Sequence, residues 1–219
     1  MFMTYNAVLI GATGLVGSEL LQYLINDERI SQIRVFARNS TGIQHPKLKE
    51  FIVEFDELNK WRNEIKGDVL FSALGTTRKQ VGTREAQRVV DYDYQLRVAQ
   101  VARINGIKNL VLVSASGANV KSIFAYSKMK GELERDVMKL SFDKLTIIRP
   151  GLLKGPRIKK RFFEEKAGII FGIIPMIPKL EAMKPVSGKL VAFCCLEKGL
   201  DSVRGQRIIG PKDIFQQLK

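Results

Sequence analysis

The chain has 219 residues, with 36 Lys plus Arg against 22 Asp plus Glu and a formal charge of +14. Hydrophobic residues at 45% and charged residues at 26% exclude a disordered chain, a collagen-like chain and a disulfide-stapled miniprotein. The length suits one domain over 1–219.

The elements alternate in type along the chain. Tyr5–Ile10 is a continuous apolar run, the pattern of a strand buried on both faces. Leu15–Ile25 carries apolar residues at helical spacing. Further strands are predicted at Ile33–Ala37, Leu48–Phe55, Asp68–Ala73, Asn109–Ser114 and Leu145–Ile148. Long helices are predicted at about Glu85–Asn105 and at Phe124–Leu140. A helix near Ser187–Lys198 and a short strand near Gln206–Ile209 close the chain. Strands separated by helix-length segments demand right-handed crossovers. The expected fold is therefore α/β, a doubly wound parallel sheet with ligands at the carboxyl ends of its strands. Between 151 and 185 the pattern turns irregular and proline-rich, the natural place for a small substrate lid or cap.

Gly11-Ala12-Thr13-Gly14-Leu15-Val16-Gly17 links the first strand to the first helix. Glycine is needed there because a Cβ would block the tight turn and hold the backbone away from a pyrophosphate. Free N–H groups at the helix start then face that anion. Gly11, Thr13, Gly14, Leu15, Val16 and Gly17 are the expected cradle of a dinucleotide. An acidic residue at the end of the second strand would grip the ribose of NAD; this chain has Arg38, which can pair with a 2′-phosphate. NADP(H) is thus expected over NAD(H). Asp56, after the third strand, is placed either to accept from the adenine amino group or to cap the helix that follows.

Tyr126 and Lys130 stand at i and i+4 on one helix face. A cation one turn from a phenol favours the phenolate, which a tyrosine exchanging a proton near neutral pH requires. Ser114 ends the fifth strand at the ligand crevice, with Ser116 as the competing hydroxyl.

Taken together, GATGLVG, Arg38, Ser114 and the Tyr126/Lys130 pair resemble the short-chain dehydrogenase/reductase superfamily in its atypical branch. The segments Leu74–Arg78, Val90–Tyr94, Lys130–Glu132 and Arg149–Gly151 look like the subgroup of the human Tat-interacting protein of 30 kDa and its bacterial relatives. The resemblance implies a Rossmann fold, NADPH binding and a Ser114–Tyr126–Lys130 site for an oxidoreductase acting on a small carbonyl or alcohol. In that scheme Tyr126 is general acid or base, Lys130 binds the nicotinamide ribose and lowers the tyrosine pKa, and Ser114 orients the substrate oxygen. Leu74, Gly75 and Thr76 would line the cofactor. The alternative it implies is an NADP(H)-binding regulator with little catalysis.

Several features are read as structural. His45 is a solvated loop residue, Cys194 and Cys195 are reduced and packed in a helix, and no metal-ligand spacing stands out. The apolar run Gly168–Pro178 is about half of a bilayer span and holds two prolines. With no leader pattern visible, a cytoplasmic monomer or homodimer is expected. The basic run Lys154–Arg161 reads as a solvated surface. No aromatic-interleaved platform accompanies it, so nucleic acid is not an expected partner.

Overall fold

A computed structural model describes residues 4–154 and 185–216. Seven strands form one sheet in the order β3-β2-β1-β4-β5-β6-β9, every neighbour parallel. They are β1 (Tyr5–Ile10), β2 (Ile30–Ala37), β3 (Leu48–Ile52), β4 (Val69–Ser72), β5 (Asn109–Val113), β6 (Lys144–Ile148) and β9 (Gly205–Ile209). This is the doubly wound order, and its reversal between β1 and β4 opens a crevice at the strand ends.

Side chains alternate across the pleat, so each strand feeds two cores. Ala7 and Leu9 of β1 face a cluster that includes Leu20, Leu21 and Leu24 of α1 (Gly17–Asn26). The same cluster takes Val191, Cys194 and Cys195 of α7 (Gly188–Leu200). Val8 and Ile10 face the opposite cluster, with Trp61, Val98 and Ala102 of α5 (Tyr94–Ile104), and Leu133 and Val137 of α6 (Ala125–Met138). Each of the fully buried Leu, Ile and Val side chains contributes roughly 1.5–3 kcal/mol. Both cysteines are buried free thiols, and burial pushes Cys194 up to about 11, so they pack as the sequence implies.

The predicted helix at Glu85–Asn105 is not uniform. It runs as α4 (Arg84–Arg88), a π-helical turn at Val89–Asp93, then α5. The helix expected after Asp56 is the short α2 (Leu58–Trp61), while α3 (Arg78–Val81) and α8 (Pro211–Gln216) were not expected; α2 and α3 have four residues each, too short for an amphipathic repeat. β7 (Leu153–Lys154) and β8 (Val186–Ser187) pair in parallel and bring together the chain on either side of 155–184. Most of the expected lid, the Gly168–Pro178 run and all but the first residue of the basic run lie outside the described residues. Among the described residues no helix is long and apolar enough to cross a membrane.

Candidate functional site

A cavity of about 310 Å³ opens where β1 and β4 end. Its floor is the glycine turn, from Gly11 through Thr13 to Gly14. Gly11 has φ +86°, and a Cβ there would lie 2.5 Å from the Ala73 carbonyl, so only glycine lets the turn pass under the end of β4. A Cβ on Gly17 would sit 2.0 Å from the Gly11 oxygen, which is why the helix can start against the turn. Gly14 closes the turn by donating its N–H to Gly11 O at 3.0 Å.

Arg38 and Asn39 from the end of β2, with Phe55, wall one side of the cavity. Leu74, Gly75, Thr76 and Gln80 wall the other, with Val90 of the π-helical turn beyond them. Arg38 is exposed and no described carboxylate pairs with it. Seven of the residues expected to hold a cofactor thus meet at one cavity: Gly11, Thr13, Gly14, Arg38, Leu74, Gly75 and Thr76. A glycine-backbone floor beside an open guanidinium fits the diphosphate and 2′-phosphate of a dinucleotide.

Besides Tyr126 and Lys130, four expected cofactor residues stand apart from that lining: Leu15, Val16, Gly17 and Asp56. Val16 is 4% exposed and belongs to the core with α1. The Leu15 carbonyl is turned to α7, where a Cβ on Gly188 would lie 2.6 Å from it. Asp56 is exposed at the start of a 3-10 turn, and its Oδ2 accepts from Tyr94 Oη at 2.8 Å. It caps no helix, and Phe55 reaches the cavity in its place. Burial and this bond push the Tyr94 phenol up to about 12.

Tyr126 and Lys130, the expected acid–base pair, both sit on α6. Gly131 lets this helix lie against the loop after β5, where a Cβ would come 2.4 Å from Val120 N. Tyr126, Lys130 and Glu134 form one stripe at i, i+4 and i+8. Lys130 is 2% exposed, and its ammonium lies 3.9 Å from Asp91 Oδ1, an ion pair beyond hydrogen-bond reach. Asp91 is 0% exposed; its Oδ1 also accepts from the Thr76 N–H at 3.0 Å, and its Oδ2 has no partner among the described residues.

This alters the expected tuning of Tyr126. The residue shows 44% of its surface, yet crowding around its hydroxyl and then the Asp91 carboxylate push the phenol up to about 12. Lys130 does not bring it down. Burial holds the lysine below its ordinary 10.5, against the pull of Asp91 and Glu134. Burial and Asp91, not Lys130, are what the phenol feels. Tyr126 therefore keeps its proton through neutral pH.

Ser114 is 6% exposed, and its Oγ donates to Glu134 Oε1 at 2.5 Å. Glu134 is 2% exposed and also accepts from Arg149 Nε at 3.0 Å and from Nη2 of the same guanidinium. The expected substrate-orienting hydroxyl is thus committed to a buried carboxylate that joins β5, α6 and the end of β6. Ser116 is exposed on the next loop, its N–H bonded to Pro150 O at 2.9 Å. His45 is half-buried, with Nδ1 accepting the Lys47 N–H at 3.2 Å.

Sequence reasoning gave no role to Asp91, Glu134 or Arg149. Only the i, i+4, i+8 stripe could have singled out Glu134, and an acid inside the apolar Val89–Val90 run could have singled out Asp91.

The NAD(P)H-binding family profile matches residues 11–169. "Protein fmp52, mitochondrial" of Emericella nidulans is 33% identical over 218 residues, covering 96% of this chain and 94% of that protein. The Saccharomyces cerevisiae protein of the same name is 39% identical over 160 residues, covering 71% of this chain and 69% of that one. Among solved structures, UDP-N-acetylglucosamine 4-epimerase from Methanobrevibacter ruminantium M1 superposes with a TM-score of 0.68 at 15% identity, over 95% of this chain and 77% of its own. The Bordetella bronchiseptica enzyme WbmF in complex with NAD+ gives 0.70 at 15% identity, over 99% and 78%. These two bear on the fold alone. The mitochondrial names of the sequence relatives overturn the expected cytoplasmic location.

Proposed function

The chain belongs to the NAD(P)H-binding family, and from that premise we propose that it is an NADPH-dependent reductase of the short-chain dehydrogenase type, acting on a small carbonyl substrate. The observation that carries this reading is the joining of two half-sites. The cavity runs from the glycine turn to Arg38 and Thr76, and Asp91 ties Thr76 to the Lys130–Tyr126 stripe. Within the superfamily, the Leu74–Arg78 and Val90–Tyr94 segments support the subgroup of the Tat-interacting protein. The names of the relatives support a mitochondrial setting.

The glycine-turn amides would hold the diphosphate and Arg38 the 2′-phosphate, which favours NADP(H) over NAD(H). The bound cofactor supplies the hydride. Tyr126 Oη, protonated over the whole physiological range, gives its proton to the substrate oxygen. The phenol favours reduction over alcohol oxidation, because oxidation requires the phenolate first. Ser116 is the hydroxyl we assign to the substrate oxygen, since Ser114 reaches the crevice only by giving up Glu134. Lys130 holds the nicotinamide ribose.

The test is NADPH consumption across a panel of aldehydes and ketones, followed by Tyr126→Phe on the best substrate. Turnover should fall by at least about 100-fold with NADPH affinity nearly unchanged. Survival of turnover would remove Tyr126 as the acid.

A further inference from the structure

Asp91 has no assigned part in the reaction, yet its setting is unlike that of any other carboxylate described. It lies in a π-helical turn, a distortion that recurs at functional sites. It is fully buried, and three elements converge on it. From the loop after β4, the Thr76 N–H donates to Oδ1 at 3.0 Å. From α6, Lys130 faces it at 3.9 Å, with Tyr126 and Glu134 one turn to either side. From α4, the Gln87 side chain braces the same loop, its Nε2 donating to Thr76 O at 3.3 Å. Gln95 of α5 fixes the turn itself: its Nε2 donates to Asp91 O at 2.7 Å while its Oε1 accepts from Ser72 Oγ at 2.9 Å. The backbone is pinned, one carboxyl oxygen is shared between loop and lysine, and the other has no described partner.

A buried carboxylate left half-satisfied costs stability and is better explained by function than by folding. Its three neighbours belong to different parts of the proposed site. Thr76 and Val90, the residue before Asp91, line the cavity. Lys130 and Tyr126 carry the proton chemistry. We propose that Asp91 is a positioning residue which couples the Thr76 loop of the cofactor cavity to the Tyr126–Lys130 pair. It does so by placing its charge against Lys130 while its Oδ1 anchors the loop. The inference rests on the reductase reading for the identity of the cavity's occupant, but the coupling itself is a property of the nucleotide-free protein.

The sign of the effect follows from the charges around it. Tyr126, Lys130 and Glu134 on α6 are the ionisable groups facing Asp91, and Thr76, Gln87 and Gln95 are neutral. In Asp91→Asn the carboxylate no longer opposes the phenolate. Where Lys130 keeps its proton, its uncompensated charge favours the phenolate further; where it loses it, the site is simply neutral. Both outcomes move Tyr126 down. The neighbouring acid Glu134 is common to both proteins and cancels.

The experiment is a pH titration of ¹³Cζ-tyrosine-labelled protein by NMR, without nucleotide, with Tyr126→Phe to assign the resonance. In the unmodified protein Tyr126 should remain a phenol to the alkaline end of the native range. In Asp91→Asn its titration should begin lower, by up to about one pH unit, since burial carries the larger share of the rise. Asp91→Asn strands a buried ammonium, so the double variant Asp91→Asn/Lys130→Gln serves where the single one does not fold. It should show the same downward movement, because the carboxylate is gone from both. NADPH affinity, read by calorimetry, should fall at least fivefold in Asp91→Ala, where the Thr76 N–H loses its acceptor, and much less in Asp91→Asn, whose amide oxygen keeps it. A Tyr126 titration unmoved in whichever asparagine variant folds, or NADPH affinity unchanged in Asp91→Ala, overturns the coupling. Failure of the unmodified protein to bind NADPH sinks the reductase reading instead, and leaves the nucleotide-free titration to judge Asp91.

Discussion

Glutamine at position 134 tests whether the frame beneath the acid–base stripe is held by one buried carboxylate. Glu134 is 2% exposed and takes Ser114 Oγ at 2.5 Å on one oxygen and the Arg149 guanidinium on both. Glu134→Gln keeps the shape but turns an amide N–H₂ toward donors and leaves Arg149 uncompensated. Breaking a fully buried pair this way costs about 3–5 kcal/mol. The Arg149 side chain is 28% exposed, so water recovers part of that, and about 2–3 kcal/mol is the expected loss. Urea unfolding at neutral pH measures it. Removing both charges with Glu134→Leu/Arg149→Met should restore most of the loss, since a buried pair replaced whole is close to neutral. The double-mutant cycle then yields a coupling of about 2 kcal/mol. Neither residue lines the cavity, so NADPH should still stabilise the single variant. A Glu134→Gln protein within about 1 kcal/mol of the parent would refute the reasoning, because it would mean that the three contacts carry no net stability.

Four further outcomes follow from the same geometry. Arg38→Ala should weaken NADPH binding by about tenfold or more and leave NADH within about twofold, by calorimetry; equal losses for both would remove the 2′-phosphate role. Gly11→Ala should abolish the thermal shift given by NADPH, because φ +86° and a Cβ 2.5 Å from Ala73 cannot coexist with the turn. Gly42→Ala, at φ +73° with open space around it, should cost only about 1–2 kcal/mol and bind NADPH normally. Asp27 is held below its ordinary 3.8 by hydrogen bonds from Arg29. Because its folded value lies below the unfolded one, its stabilising share is fully present above about pH 4 and is lost as pH falls through the lowered value. Melting temperatures taken from pH 6 down to pH 2 should show a shallower acid decline in Arg29→Ala. An unchanged decline would mean that the pair does not protect the fold.

The sheet was legible because its information is local. Tyr5–Ile10 and Lys144–Ile148 are apolar runs that can only be strands covered on both faces, and the observed bounds agree with the reading to a residue. The glycine turn was legible for the same reason: Gly11 and Gly17 are demanded by backbone distances of 2.0–2.5 Å within one strand–turn–helix unit and its neighbour β4. The capping role open to Asp56 is not taken because its carboxylate is held by Tyr94, 38 residues away, a pairing no local spacing reports. Ser114 does follow the end of β5, but its hydroxyl's partner is set by how α6 docks, which no spacing reports.

The tuning of Tyr126 was illegible for a deeper reason. The i, i+4 spacing says only that a lysine lies one turn away; it does not say whether that lysine is charged when the phenol titrates. That depends on depth, and depth is set by the packing of α6 on the π-helical turn. This interface is closed by Arg88 on Glu132 at 2.6 Å, by Arg88 stacked 4.1 Å over the Tyr92 ring, and by Tyr92 Oη on Asp136 at 2.8 Å. These outer contacts seal Lys130 and Asp91 beneath them. Sealing strips water from both, lowers the lysine and raises the acid, and so hands the field at Tyr126 to the carboxylate. A tyrosine–lysine pair on an exposed helix would behave in the opposite way. The same four-residue spacing can therefore raise or lower a phenol, and the choice is made by how deeply the lysine is packed and which carboxylate is packed with it.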